Sequence, residues 1–308
     1  MQQTLEKNWT IREILTWTTG RFKQAEIETP LLDAQLLLCK VLNTAKINLY
    51  MDMDKPLTSH ERSCLREFVK RRLAGEPVAY ILNEKHWYDL RLYVDQRVLI
   101  PRPETECLLD FIISTIKFYD KTPKIIFDLC TGSGCLALAL AKIFPDSTIV
   151  GVDISRDALA VADKNAKING LTNIEWLQLD LTQVDSYFLL KEKYGQAQVV
   201  VANPPYVSEK EWMTLDISVK NYEPKLALTA DEDGLFIGKQ IIKNLSFLCD
   251  EFNVFGMEMG EGHPQKLIPS PIMHRLFNSI AADKSVNEWF SLGDLDSKQR
   301  FLCRVAIH

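Results

Sequence analysis

Apolar residues recur at helical spacing through the first 75 residues, then gather from Lys124 onward into short runs separated by amphipathic stretches. Ile11, Ile14, Leu15 and Trp17 predict a helix over 10–25. Thr29-Pro30 opens a second, with proline at its first position and Leu32, Leu36, Leu37 and Val41 on one broad face. Thr58 and Glu61 make a capping box for a third, followed by Leu65, Phe68, Val69 and Leu73. Its other face, with Arg62, Arg66, Lys70, Arg71 and Arg72, is expected to be solvated. Gly75-Glu76-Pro77 is expected to end the helices, and 85–88 and 91–94 read as two short strands around a turn. Ile100-Pro101-Arg102-Pro103 is extended, since each proline keeps its predecessor out of the helical region. A helix follows over 104–119.

The second part alternates. Strands are predicted at 125–129, 148–152, 174–179, 198–202 and 253–259, and helices at 135–144, 156–168, 235–250 and 264–281. Residues 288–292 and 301–307 suit a terminal antiparallel pair. Strands and helices in alternation imply an α/β fold, with a mostly parallel sheet covered on both faces and ligands at the C-terminal strand ends.

Composition narrows the classes. In 308 residues, 46% are apolar and 25% charged, which excludes a disordered, collagen-like or disulfide-stapled chain. A net charge of −5 is unsuited to coating nucleic acid. The first 100 residues are slightly basic and the remainder acidic, a hint of two units. Seven cysteines without metal-ligand spacing suggest reduced thiols in a cytosolic protein and no metal site. No signal peptide and no membrane-spanning run is evident, so a cytoplasmic location is expected.

Three constellations carry chemistry. Asp128-Leu129-Cys130-Thr131-Gly132-Ser133-Gly134 joins a strand to a helix, and its glycines allow a tight turn and close ligand approach. Asp153, at the next strand end, suits the two ribose hydroxyls of an adenosine, as in NAD or S-adenosylmethionine. Asp128 favours the methyl donor, whose ammonium it can receive. Asn203-Pro204-Pro205-Tyr206 ends a strand and is the most specific of the three. Its prolines lack N–H groups, so the Asn203 side-chain oxygen and the Pro204 carbonyl can accept both hydrogens of a planar NH2, while Tyr206 offers a ring for stacking. Asp180 lies where an adenine would sit, with Leu181 for apolar contact, although helix capping would also explain Asp180.

These residues resemble the HemK/PrmC family of protein-(glutamine-N5) methyltransferases. The likeness includes Gly75 to Ile81, Ile100 to Glu106, Asp128 to Gly134, Gly151 to Asp153, Asn203 to Tyr206, Tyr222 to Pro224, Ala227-Leu228, Asp233 to Leu235 and Asp294 to Arg300. It implies a helical domain at 1–76 that helps dock the substrate, a hairpin linker at 77–103, and a seven-stranded Rossmann-like methyltransferase domain at 104–308. It further implies S-adenosylmethionine contacting Cys130, Thr131, Gly132, Ser133, Gly134, Asp153, Asp180, Leu181 and Asn203. The substrate would be the Gly-Gly-Gln glutamine of class I peptide chain release factors, held by Asn203 to Tyr206 and walled by Ile100 to Pro103, including Arg102. A monomer without stable nucleic-acid or membrane binding is expected. Cys130 stands where relatives commonly have Gly and is expected to keep ordinary backbone angles. Rival readings are a nucleic-acid amino methyltransferase, which shares Asn-Pro-Pro-Tyr, and an NAD-dependent oxidoreductase, suggested by Gly132-x-Gly134-x-x-Ala137.

Overall fold

Capping boxes start two of the first helices. In the computed structural model, which describes residues 9–267, 272–273 and 287–306, Thr10 with Glu13 opens α1 (Ile11–Gln24). α2 (Pro30–Leu42) and α3 (Lys46–Met51) follow, and Thr58 with Glu61 opens α4 (Ser59–Leu73). The chain up to Asn83, together with Ile217–Tyr222, forms one compact unit. Its core joins Ile11, Leu15, Phe22, Leu37, Leu49 and Leu65.

Three expectations are corrected here. α2 buries Asp33, Ala34, Leu37 and Leu38, while Leu32 and Leu36 are exposed. The helix is leucine-rich nearly all round, so the pattern alone does not choose its inner face. The choice is marked by a partly buried ion pair, Arg72 Nε donating to Asp33 Oδ2 at 2.7 Å. The basic face of α4 is therefore only partly solvated, and Arg71 in turn grips Glu76 through two nitrogens. Nor do the helices stop at Gly75, for a short α5 (Val78–Leu82) comes after Pro77.

The second unit, Glu84–Asp216 with Glu223 onward, opens on an antiparallel hairpin of β1 (Lys85–Trp87) and β2 (Leu90–Leu92). α6 (Glu104–Phe118) precedes β3 (Ile125–Leu129), and α7 (Cys135–Ile143), β4 (Thr148–Asp153), α8 (Arg156–Asn169) and β5 (Ile174–Gln178) continue the alternation. α9 (Val184–Tyr194) crosses to β6 (Ala197–Ala202), and the helix Phe236–Leu248 leads to β7 (Cys249–Glu258). Of the predicted helix at 264–281, His263–Leu267 is helical, but Ile272–Met273 is a short strand, β8, so the helix is not continuous. Its other positions lie outside the described residues. β9 (Asn287–Gly293) and β10 (Gln299–Ala306) form the expected antiparallel pair.

The sheet runs β5-β4-β3-β6-β7-β10-β9, extended at its edge by β8. β3 to β7 are parallel, and β10 inserts antiparallel beside β7. The crossover direction reverses between β3 and β6, and the loops leaving their C-terminal ends form the crevice where such sheets bind ligands. Phe127, Val150, Val200, Phe255 and Leu302 fill the core beneath, all fully buried. At the packing surface of α6, Gly256 leaves room that a Cβ would take, 2.5 Å from Leu108 Cδ1. That gap lets α6 lie directly on β7.

Candidate active site

A cavity of about 360 Å³ opens at the C-terminal ends of β3, β4, β5 and β6, within the range of small-molecule sites. It is lined by Asp128, Cys130, Thr131, Gly132 and Ser133, and by Asp153, Asp180, Leu181, Asn203 and Pro205. The residues read from the sequence as donor-binding are thus brought together, except Gly134, which lies behind the lining. There it N-caps α7 at φ +83°, where a Cβ would press on Ala162 and Trp176 at 3.1 Å.

Asp128 is 1% exposed. Its Oδ2 accepts from Thr131 Oγ1 (2.5 Å) and the Ala137 amide (3.0 Å), whereas its Oδ1 is buried without a partner. Burial pushes this carboxyl up to about 7 against the pull of those two donors. An acceptor left idle in a buried position is costly unless a ligand donor arrives. Asp153 Oδ2 accepts from the Gly132 amide (2.9 Å) and Oδ1 from Ser155 (2.9 Å). Ser155, not Asp153, caps α8. Each Asp153 oxygen keeps a lone pair for a hydroxyl donor. Asp180 makes a local turn, accepting from the Thr182 amide and hydroxyl, and α9 starts only after Gln183.

One expectation about the loop is overturned. Cys130 has φ +59°, in the left-handed region, as has Gly132 at +56°. The carboxylates beneath the turn and the bond from Thr131 N–H to the Val152 carbonyl hold it there despite the side chain. Burial raises the Cys130 thiol, and that of Cys135 to about 12, so both stay neutral. Fully buried Asn165 of α8 ties this loop to the chain after the hairpin. Its Oδ1 accepts from the Tyr93 amide (2.6 Å), and its Nδ2 donates to the carbonyls of Tyr93 (3.0 Å) and Ser133 (2.9 Å).

At the end of β6, Asn203 Nδ2 faces Thr105 Oγ1 at 3.5 Å. Among the described residues no donor reaches Asn203 Oδ1 or the Pro204 carbonyl. Pro204 is buried, and Tyr206 is half-buried with its hydroxyl donating to Glu258 Oε1 (3.1 Å). Neither lines the cavity. Arg102 and Pro103 also stay off the lining, whereas Pro101 joins it. Arg102 instead pairs with buried Glu223 (2.6 Å), which also accepts from the Ile100 amide (3.1 Å), and this pins the extended segment in place.

Sequence reasoning missed Thr105, Glu209, Asp231 and Phe236 on the lining and Glu258 behind it. Glu258 did carry a signal. An acid at the end of the apolar run Val254 to Met257 needs partners or it would not be tolerated there. Charge also separates the two nucleoside ligands. Asp128, Asp153, Asp180, Glu209 and Asp231 face the cavity against Arg97, which is already held by Asp95. That balance suits a cationic ligand and opposes the pyrophosphate of a dinucleotide.

A family profile described as PrmC N-terminal domain matches residues 13–82, and one described as Methyltransferase domain matches 126–215. A release factor glutamine methyltransferase of Chlorobaculum tepidum is 39% identical, covering 73% of this chain and 77% of its own length. Its namesake in Thermodesulfovibrio yellowstonii is 36% identical over 82% and 88%, and that of Leptospira interrogans 33% over 91% and 92%. The chain belongs to the release factor glutamine methyltransferase family. The enzyme is therefore a methyltransferase, and the helical unit and the sheet-bearing unit correspond to the two profiles. Among the described residues no helix is long and apolar enough to cross a membrane.

Proposed function

We propose that this chain transfers a methyl group from S-adenosylmethionine to the side-chain amide nitrogen of the Gly-Gly-Gln glutamine in class I peptide chain release factors. The observation that carries the reading is a pair of idle acceptors, Asn203 Oδ1 on the lining of an acidic cavity and the carbonyl of the adjoining, buried Pro204. An amide NH2 has two hydrogens in one plane, and two fixed acceptors suit both. Its lone pair is delocalised, so the nitrogen is a poor nucleophile. Holding both hydrogens aims that lone pair and stabilises the positive charge that grows on nitrogen. The proton leaves afterwards, so no histidine base is required.

S-adenosylmethionine, when bound, supplies a methyl group on a positively charged sulfur. Asp128 Oδ1 would take its ammonium, the free lone pairs of Asp153 its ribose hydroxyls, and the Asp180-Leu181 stretch its adenine. The loop Cys130 to Gly134 would follow its backbone. Pro101 and Pro205 would shield the reacting nitrogen from water, while Arg102 acts through Glu223 to hold Pro101. Tyr206, off the cavity lining, would anchor the corner through its bond to Glu258 rather than stack on the amide. The helical unit would help to dock the release factor, the enzyme acting as a monomer in the cytoplasm, where its substrate works.

Purified enzyme, methyl-labelled donor and an unmethylated release factor decide the matter by mass spectrometry. One added methyl on the Gly-Gly-Gln glutamine is expected. Label entering DNA or ribosomal RNA, with none in the release factor, would overturn the assignment.

A further inference from the structure

Glu258 is a carboxylate that ordinary bookkeeping leaves unexplained. It is 2% exposed, lies at the end of β7, and forms no ion pair among the described residues. The sheet register sets its neighbour. Ala202 pairs with Met257, so one residue further on Asn203 leaves β6 beside Glu258, the last residue of β7, which is still paired with Phe301 of β10. Two hydroxyls point at Glu258. Thr105 Oγ1, 1% exposed in the first turn of α6, donates to Oε2 at 2.6 Å, and Tyr206 donates to Oε1 at 3.1 Å. The Thr105 oxygen in turn faces Asn203 Nδ2. Both ends of the Asn203 to Tyr206 corner are thus referred to one buried acid.

A carboxylate only accepts hydrogen bonds. Thr105 has a single proton and gives it to Glu258, so toward Asn203 it can present only a lone pair. Asn203 must then turn its NH2 group to Thr105, which leaves Oδ1 facing outward. An asparagine has two nearly isosteric orientations, and without such a terminus nothing in the chain of bonds would choose between them. We infer that Glu258 is a positioning residue, whose acceptor-only end sets the direction of the Thr105–Asn203 hydrogen bond and so holds the Asn203 oxygen toward the substrate amide. This rests on the clamp described above.

Desolvation raises the Glu258 carboxyl, and the two hydroxyl donors act against that rise. Arg300 on neighbouring β10 also favours the charged form, while Glu104 opposes it. A glutamine at 258 would break the polarity. Its NH2 could donate to Thr105, whose proton would then turn toward Asn203 and reward the flipped amide. The flipped amide presents NH2 to NH2 and cannot clamp.

The test is a double-mutant cycle on the full chain, read by single-turnover methyl transfer to an unmethylated release factor. Glu258→Gln should slow transfer about tenfold or more, with release factor KM and donor Kd changed by less than about threefold. Thr105→Val, which breaks the relay but keeps the acid, should slow it similarly. In an Asn203→Ala background, Glu258→Gln should add less than about a twofold effect. Wild-type transfer by Glu258→Gln, or an equal loss in both backgrounds, would overturn the inference. So would a loss that follows donor affinity. If Glu258→Gln fails to fold, Thr105→Val and its own cycle with Asn203→Ala decide by the same criteria. Normal turnover by Asn203→Ala would instead reject the clamp itself, which separates the two failures.

Discussion

A Cβ placed on Gly234 would lie 2.0 Å from the carbonyl oxygen of Tyr206. Gly234 follows two residues, Glu232 and Asp233, that also have positive φ, and together they make a left-handed turn behind the corner. The Tyr206 and Val207 amides both donate to the Leu228 carbonyl on the other side, so the backbone there is held from two directions. Gly234→Ala should therefore displace Tyr206 and lower kcat by about 10²-fold, the scale of a misplacement near 1 Å. Gly170→Ala is the control. That residue has φ +68° at the end of α8 but open space around it, so it should lose about 1–2 kcal/mol of stability with turnover intact. Equal kcat values for both variants would refute the contact's role.

Removing one acceptor from the clamp should cost most in the chemical step. Asn203→Ala is expected to lower kcat by roughly 10²–10³, by analogy with the loss of one oxyanion-hole donor. Donor affinity by calorimetry should change far less.

Asp153 braces the glycine loop through its bonds to Gly132 and Ser155, and on the proposed reading it also takes the ribose of the methyl donor. Asp153→Ala should weaken donor binding by about 10–100-fold, the value of a hydrogen bond or two to a charged group. Titration calorimetry reads this directly, and unchanged affinity would contradict ribose binding.

The raised Asp128 carboxyl gives a pH signature. Its folded value of about 7 exceeds the ordinary 3.8, so its contribution to stability is fully present below about 4 and is lost as pH rises to 7. Ligand-free Asp128→Asn should therefore melt at a higher temperature than the wild type at pH 8. An arriving ammonium favours the charged carboxylate, so donor binding near pH 6.5 should release a proton and tighten toward pH 7.5. Calorimetry in two buffers of different ionisation heat measures that proton, and zero release would sink the pairing.

In the helical unit, Asp33 accepts from both Arg72 and Thr29 while buried. Asp33→Ala should cost about 1–3 kcal/mol in urea unfolding, because a partly buried guanidinium loses its carboxylate and keeps only the Glu76 carbonyl.

How much of this was readable beforehand differs by region, for physical reasons. Strands β3, β4, β6 and β7 and the crevice followed from apolar runs of strand length, since burial on both faces leaves little ambiguity, while β5 lies at the sheet edge and is only partly covered. α9 did not, although the right-handed crossover from β5 to β6 calls for a covering element, because its apolar residues make no clean stripe. The inner face of α2 was misread because leucines surround it and the deciding partner, Arg72, lies far along the chain. Asp128, Asp153 and Asp180 were legible from their places at strand ends, whereas Glu209 and Asp231 on the same lining were not. Glu258 and Thr105 were not, since a buried acid reveals its role only once the register brings Asn203 alongside. Cys130 shows the opposite limit. A side chain normally excluded from left-handed backbone was held there by bonds from other strands.

Asn165 ties Tyr93 and Ser133 with a single, fully buried amide. Whatever leans on the hairpin must carry the donor loop with it or break those bonds. A partner that shifted Tyr93 would therefore shift Ser133 as well, and by reciprocity any change it made in small-molecule affinity would be matched by an equal change in its own.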